Sequence, residues 1–375
     1  MSDHTLYTLW ILLAGGQCSA RTYKMLSCYE SAQQAYLAAK EDQLDRAVFN
    51  QEDCQKFQAD FSLEEALRIV EYCDKKHIKI ITYYDPEYPP GLKRIACPPL
   101  ALFVRGTLPD TENTPSITIV GTRNCTQRAQ QFTAKLSYGL ARSGFQIVSG
   151  LANGIDTYAH KGCLMAKTAQ TIAVLPCSID RVYPVENTQL SDLIEQNGAV
   201  ISELLPGSNI PGKWSFLLRN RILSALTQGT LVVETAKKGG SLITANHALE
   251  QNKWVFAVPG FPGTPTSEGT NELIKSGAIC CTGLNDIYDA YQPLFGAYIH
   301  RLEPQEHQKS HQQKSTPKCN EKQKRVLSVL EQPRTADEVC QKTDFPFFEA
   351  VEILQQLELM DLIEQTAGGY YKTKN

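Results

Sequence analysis

The chain lacks three patterns that would each have decided its chemistry. Its 12 cysteines run from Cys18 to Cys340 without one Cys-x-x-Cys pair, and only Cys280 and Cys281 adjoin. That spacing excludes a zinc ribbon or a secreted disulfide framework and reads as free thiols in a reducing compartment. No Gly-x-Gly-x-x-Gly string follows an apolar run, so the dinucleotide fingerprint is missing. No stretch reaches the roughly 18 apolar residues of a membrane span. Residues 9–14, bounded by His4 and Gly15-Gly16, are too short for the apolar part of a secretory leader. Together these absences predict a soluble cytoplasmic protein with no membrane partner.

What is present is a division of charge. The formal net charge of -3 spreads unevenly over 375 residues. Residues 1–115 carry 12 Lys/Arg against 16 Asp/Glu (-4), and residues 116–283 carry 14 against 10 (+4). Residues 284–319 balance at 4 and 4, and residues 320–375 carry 7 against 10 (-3). A basic middle on an acidic background is what an anionic ligand needs. The length exceeds a usual single domain, so two or three are expected.

Four segments follow from the pattern. Residues 1–80 read as short helices, with Leu6, Leu9, Trp10 and Leu13 at helical spacing, in a helix-hairpin-helix-like or SAM-like module. Its acidic balance argues against DNA binding of its own, and a packing role is the plainer reading. Prolines at 86, 89, 90, 98 and 99 fix extended backbone at the start of a second segment, residues 81–295. There, after an apolar run at 100–104, short β-branched runs at 117–120, 146–149, 171–175, 199–202, 230–233 and 254–258 alternate with helical stretches. Strands apolar on both faces, separated by helices, predict an α/β doubly wound, mostly parallel sheet whose ligands collect at the strands' carboxyl ends. Residues 296–319, rich in Gln, His, Lys, Ser and Pro, read as a linker. Residues 320–375 read as three helices and a hairpin tipped by Gly368-Gly369, a small winged-helix domain. Its expected recognition helix, residues 347–359, carries Glu349, Glu352 and Glu358 and neither Lys nor Arg, which favours a protein-contact or regulatory role over groove binding.

The candidate site residues sit at the predicted turns. Gly121-Thr122-Arg123 follows the first parallel strand, where a glycine admits a phosphate to the backbone, Thr122 offers a hydroxyl and Arg123 a donor fork. The bland alternative is a tight turn with a surface-paired arginine. Ser149-Gly150-Leu151-Ala152-Asn153-Gly154-Ile155-Asp156 follows the next strand. Asp156, in a first helical turn, is either a general base or, more simply, a cap or an arginine-positioning group. Phe216, Arg219, Asn220 and Arg221 lie within a helix over residues 213–226. Two arginines flanking an asparagine beside an apolar stripe are costly unless they meet an anion or face solvent, and Phe216 is either core or a stacking platform for a base. Lys237-Lys238-Gly239-Gly240-Ser241-Leu242-Ile243-Thr244-Ala245 leads into a helix and forms the best anion nest in the chain. His160 and His247 lack partners for a metal, so no metal or cofactor is expected. No residue at the turns joins a nucleophile or base to an activating partner, so no catalytic residue is assigned.

At these residues the chain resembles the DNA-processing protein A family (DprA, also called Smf). The ordered matches run from Tyr88-Pro89 to about Ala278: Pro98-Pro99-Leu100 with Arg105-Gly106, Val120-Gly121-Thr122-Arg123, the segment from Ser149 through Asp156 to His160, Tyr183-Pro184, Ser202-Glu203, Phe216 with Arg219-Asn220-Arg221, Gly240 through Ala245, and Val258-Pro259-Gly260. The resemblance implies an extended Rossmann-like domain that binds and protects single-stranded DNA, forms a homodimer, and helps load the RecA recombinase in natural transformation and homologous recombination. It places Gly121, Thr122, Arg123, Ser149, Gly150, Asn153, Gly154, Asp156, Phe216, Arg219, Asn220, Arg221, Lys238, Gly240, Ser241 and Thr244 at the DNA. Departures are Arg128-Ala129 for the family's Tyr-Gly, Asn153 for a pocket arginine, Leu217 for a proline, and Gly239-Gly240 for Ser-Gly. Arg128 is a candidate to restore the charge lost at Asn153. The rival reading is a nucleotide-hydrolysing enzyme of the phosphoribohydrolase (lysine-decarboxylase-like) type, whose Pro-Gly-Gly-x-Gly-Thr motif is here only Lys-Gly-Gly-Ser-Leu-Ile-Thr. A third reading is a protein-interaction scaffold.

Overall fold

A computed structural model describes residues 3–167, 169–208, 212–302, 319–360, 362–366 and 370–373. The chain divides into two compact units, Met1–Leu302 and Glu303–Asn375.

The first unit opens with five helices: α1 (Asp3–Gly15), α2 (Ala20–Cys28), α3 (Ala32–Lys40), α4 (Gln51–Gln58) and α5 (Glu64–Lys75). Ser19, Ser31 and Asn50 begin α2, α3 and α4 by accepting from the N–H three residues on, the ordinary means of satisfying a helix's first donors. Then come β1 (Lys79–Thr82), the single turn α6 (Pro90–Lys93) and β2 (Ala101–Gly106). The alternating part follows: β3 (Ser116–Val120), α7 (Gln127–Arg142), β4 (Gln146–Ser149), α8 (Ile155–Ala166), β5 (Thr171–Val174), α9 (Thr188–Gln196), β6 (Gly198–Ser202), α10 (Gly212–Ala225), β7 (Gly229–Val232), α11 (Ser241–Glu250), β8 (Trp254–Ala257), α12 (Glu268–Lys275), β9 (Ile279–Cys280) and α13 (Leu284–Phe295).

The nine strands form one sheet in the order β1-β2-β6-β5-β4-β3-β7-β8-β9. From β6 to β9 every pairing is parallel, while β2 lies antiparallel on β6 and β1 antiparallel on β2. The sheet is thus the mostly parallel, doubly wound one that the alternation of runs predicts. From β3 the chain winds outward through β4, β5 and β6, then returns to the other side of β3 through β7, β8 and β9. The order reverses between β3 and β7, and the crevice at their carboxyl ends is where open α/β sheets hold ligands. Two strands had no forecast. β1 is four residues long and β9 two, and both are edges with exposed residues, so neither shows the apolar run by which the inner strands are read.

Alternation of side chains divides the core. Leu102, Val104, Val120, Val148, Ile172, Val174, Ala199, Ile201, Val232 and Val255 face α10 and α11 on one side of the sheet. On the other, Ile117, Ile119, Ile147, Leu231 and Phe256 pack with α7, α8 and α13. Ala101, Phe103, Ala173 and Val200 join a third cluster built on Trp10, Met25, Tyr36, Phe49 and Phe57. The N-terminal helices therefore share one apolar core with β2, β5 and β6. At the other end of the unit Ile299 is buried and the His300 N–H donates to the Ser143 carbonyl at 3.1 Å, so ordered packing continues past α13. Most of the expected linker, residues 303–318, lies outside the described residues.

The second unit comprises α14 (Glu321–Val329), α15 (Ala336–Thr343), α16 (Phe347–Leu359) and an antiparallel pair, β10 (Ile363–Gln365) with β11 (Tyr371–Thr373). Reciprocal caps from Asn320 to Gln323 and from Thr335 to Glu338 start its first two helices. Val326, Leu330, Val339, Ala350, Leu354, Leu357 and Ile363 form its own small core. Gly368 and Gly369 lie outside the described residues.

No helix among the described residues is long and apolar enough to cross a membrane.

Candidate functional site

The turns after β3, β4 and β7 and the middle of α10 meet at the reversal of strand order. The Thr122 N–H donates to the Glu234 carbonyl at 2.7 Å, and the Ile155 N–H to the Thr122 carbonyl at 3.3 Å, tying the turn after β3 to its neighbours on both sides. Gly154 has φ +81, and a Cβ there would lie 2.4 Å from the Thr122 carbonyl oxygen, so only glycine lets the two turns close on each other.

Arg219 is 6% exposed and reaches under the turn after β4. Its Nη1 donates to the carbonyls of Gly150 at 2.7 Å and Val174 at 2.5 Å, oxygens at the carboxyl ends of β4 and β5, and its Nε donates to Asn220 Oδ1 at 3.2 Å. A Cβ on Gly150 would stand 2.1 Å from Nη1, so this glycine is the space the guanidinium occupies. Burial lowers the Arg219 pKa to about 10, Asp156 opposes that shift, and the Arg123 charge adds to it. The Asp156 carboxylate and the Arg123 guanidinium thus act on it in opposite senses, the carboxylate more strongly. Asn220 completes the link to the β7 side, with Nδ2 3.5 Å from the Gly240 carbonyl.

Around this buried arginine are exposed cations. Arg123, Arg128, Lys237 and Lys238 are all exposed, and among the described residues none has a carboxylate within ion-pair distance. Arg123 lies over the Phe216 ring at 4.8 Å from its centroid, and Tyr183 meets that ring edge-on at 5.7 Å. The ring therefore stands at the rim, half-buried, rather than in the core. Helices α8 and α11 begin here without a side-chain cap; Asp156 stands in the first turn of α8, whereas the first turn of α11 carries no acidic residue, so the positive end of α11 faces the cluster unneutralised. Ser241 Oγ, at the start of α11, is buried with no partner. Gly240 beside it is open, with no atom within 4 Å of the place a Cβ would take. Asn153 is exposed at the tip of the turn after β4.

Several expected ligand contacts are internal instead. The start of the helix after Arg123 is partly engaged already. Thr126 caps α7 itself, while its own N–H and hydroxyl donate to the Glu234 carboxylate at 2.9 and 2.7 Å. A protein carboxylate fills that anion position. Ser149 Oγ donates to the Ile119 carbonyl at 2.6 Å, and Thr244 is buried on α11. Asp156 is 5% exposed and accepts from the Gly150 and Ala152 N–H groups at 3.1 and 3.4 Å. Burial raises its pKa to about 6, opposed by Arg219 and by those two donors. It shapes the turn and balances Arg219, the simpler of its two readings. His160 is fully buried, with Nδ1 2.8 Å from Thr171 Oγ1, and burial followed by the Arg219 charge lowers its pKa to about 3, so it stays neutral.

Arg221 lies outside the cluster altogether. Its Nη2 donates to Glu203 Oε2 at 2.6 Å and to Tyr23 Oη at 3.0 Å, on the side of α10 facing the N-terminal helices. The anion that justifies this arginine is the protein's own. Sequence reasoning gave no site role to Tyr183, Glu234 or Leu151. Leu151 is fully buried with φ +56, held by the Asn187 Nδ2 bond to its carbonyl at 2.8 Å. A glycine at such a position is readable from sequence; a leucine is not.

The arrangement can hold phosphates along a rim of exposed cations and the start of α11, with an aromatic ring beside them. Among the described residues no group of three or more His, Cys, Asp or Glu side chains is placed to hold a metal ion.

A family model described as DNA recombination-mediator protein A matches residues 79–292. Protein Smf of Synechocystis sp. is 33% identical over 332 residues, covering 82% of this chain and 83% of that protein. The crystal structure of DNA processing protein A from Streptococcus pneumoniae superposes with a TM-score of 0.59 at 30% identity, over 76% of this chain and 97% of that one. The structure of the Helicobacter pylori protein, described for its single-stranded DNA binding mode, gives a TM-score of 0.51 at 32% identity, over 58% and 98%.

Proposed function

As the chain belongs to the DNA recombination-mediator protein A family, we propose that it binds single-stranded DNA along the carboxyl edge of β3, β4 and β7 and hands that DNA to a RecA-type recombinase. The observation that carries the reading is the set of exposed cations Arg123, Arg128, Lys237 and Lys238, none with a carboxylate within ion-pair distance among the described residues, with Arg123 lying over the Phe216 ring at 4.8 Å. Phosphates on Arg123, Lys238 and the start of α11 would answer those charges. Arg219 acts from beneath as a fixed charge. Phe216, once Arg123 swings from its face to a phosphate, is free to take a base by stacking, which tolerates any sequence. Gly121, Thr122, Gly150, Asn153, Gly154, Asn220, Gly240 and Ser241 shape or line this path, while Ser149, Asp156 and Thr244 support it from inside. Two copies of the chain working together extend the rim.

The hydrolase reading has little to stand on, because Asp156, its candidate base, is bonded to the turn before it. The test is a titration of labelled single-stranded DNA against duplex and mononucleotide competitors. Single strands should outcompete both. Equal competition by duplex, or release of free base from a nucleoside monophosphate, would overturn the assignment.

In the second unit, Glu349 on α16 pairs with Lys322 and Glu352 accepts from Gln356, so the expected recognition helix offers carboxylates rather than cations. We infer a protein-contact role for it. Truncation after Leu302, at the boundary of the two units, should leave single-strand affinity within about threefold, since no phosphate contact is lost.

A further inference from the structure

Helix α10 carries the pocket residues Phe216, Arg219 and Asn220, yet packing alone does not seat it. A cavity of about 110 Å³ lies against it, bordered by Cys18, Glu203, Ser215, Leu218 and Arg219. What holds the helix on this side is polar. Glu203, just past β6, accepts from Arg221 Nη2 through one carboxylate oxygen and from the Cys18 thiol through the other, and Tyr23 Oη accepts from the same Arg221 nitrogen. Gln17 reaches in parallel to the loop after β6, where its Oε1 accepts from the Leu205 N–H at 2.7 Å. All of these groups are largely removed from water. Burial raises the pKa of both Cys18 and Tyr23, with the Glu203 charge adding to each shift.

This cluster is an expensive way to fill a core. Arg221 Nε and Nη1 are buried without a hydrogen-bond partner among the described residues, and an apolar pair of the same volume would serve stability as well or better. What an apolar pair would not supply is direction. Residues 219, 220 and 221 project from α10 about 100° apart, so the helix is pinned from three sides: by Arg219 on β4 and β5, by Asn220 on the turn before α11, and by Arg221 on Glu203. Release of the third pin leaves it free to roll into the neighbouring cavity.

We propose that Glu203 is a positioning residue. Gripped by Arg221, which Tyr23 of α2 also holds, and by the thiol of Cys18 in the turn between α1 and α2, it fixes the roll of α10 and with it the placement of Arg219, Asn220 and Phe216 in the pocket. The inference rests on the pocket being the DNA site, and the N-terminal helices thereby take part in binding without touching DNA.

The test uses the full chain as wild type, Glu203→Gln and Tyr23→Phe, with two readouts. The first is amide hydrogen exchange without DNA: exchange in α10 should quicken several-fold while α7 keeps its wild-type rates. The second is single-strand affinity at several salt concentrations. Folded Glu203→Gln should bind roughly tenfold more weakly, the scale of one hydrogen bond to a charged group, with an unchanged log–log salt slope because no phosphate contact is removed. If Glu203→Gln does not fold, Tyr23→Phe, which deletes one hydroxyl, should show the same pattern at about threefold. Wild-type exchange and wild-type affinity in a folded variant would overturn the proposal, and so would a reduced salt slope, which would mean that these residues meet phosphate. If wild-type protein does not bind single strands, the pocket assignment fails and the exchange rates alone decide whether Glu203 positions α10.

Discussion

Arg219 and Arg221 are two residues apart on one helix, equally buried at 6% and 7% exposure, and they belong to different chemistries. Arg221 has met a carboxylate at 2.6 Å. Arg219 is held by two carbonyl oxygens, stands near a second guanidinium, and has as its nearest counter-charge a carboxylate whose own burial raises its pKa toward neutrality. A buried arginine whose charge the protein has answered is architecture. One answered only by a buried carboxylate across a turn, beside another cation, is the one placed to serve an anion from outside in the reading proposed above. The number of contacts does not separate the two cases; the sign and ownership of the partner do.

The contrast can be broken most forcefully on the Arg221 side. Glu203→Ala strands a buried guanidinium and should cost about 3–5 kcal/mol of stability in denaturant unfolding, whereas Glu203→Leu combined with Arg221→Met should recover most of it. A single variant within about 1 kcal/mol of wild type would erase the distinction. On the Arg219 side, Gly150→Ala puts a methyl where Nη1 lies. The clash should cost about 1–3 kcal/mol and weaken single-strand binding as Arg219 is displaced, and full affinity would show that Arg219 is not felt by the DNA.

Smaller effects sharpen the line. Arg123→Ala should lower affinity roughly fivefold and reduce the log–log salt slope by about 0.7, with an unchanged melting transition, while Arg221→Met leaves the slope alone. Equal slopes for both variants would mean that the strand binds elsewhere. The smallest effect is one of pH. With its pKa raised to about 6 in the folded state, Asp156 holds its proton more tightly folded than unfolded. Its contribution to stability is therefore greatest in acid and declines as pH rises from about 4 through 6. Protonation also removes a negative charge from beside the phosphate path. Affinity should thus rise two- to threefold, on the order of a fraction of a pK unit of coupling, as pH falls from about 7.5 to 5.5. Asp156→Asn should flatten that dependence.

How far the sequence anticipates this picture depends on whether a feature is local. The inner strands were legible because burial on both faces leaves a β-branched, mostly apolar signature, as in residues 117–120, all buried. Edge strands β1 and β9 carry no such mark. The turns with Arg123 and Lys238 were legible because glycine and cation sit together in the chain. The fate of Arg221 was not, since helix phase names the neighbours of a side chain only once the sheet and the N-terminal helices are in place. Its partner Glu203 stands 18 residues away, and Tyr23 nearly two hundred. The Glu234 carboxylate that closes the start of α7 was hidden for the same reason, 108 residues from Thr126.

The reversal of strand order between β3 and β7 also has a temporal side. Ile117 pairs with Ile147 on one flank and with Gly229 on the other, so this inner strand of the finished sheet is made early and stays half unpaired until the chain has grown past Gly229. At ordinary rates of synthesis that interval is on the order of ten seconds. During it a strand destined for burial on both faces has one open edge, and its final pairing closes a long loop, the kind of step that makes folding slow. A nascent chain stalled inside this window would aggregate through β3, and the yield of folded protein should depend more on how quickly residues 120–229 are translated than on the stability of what they finally build.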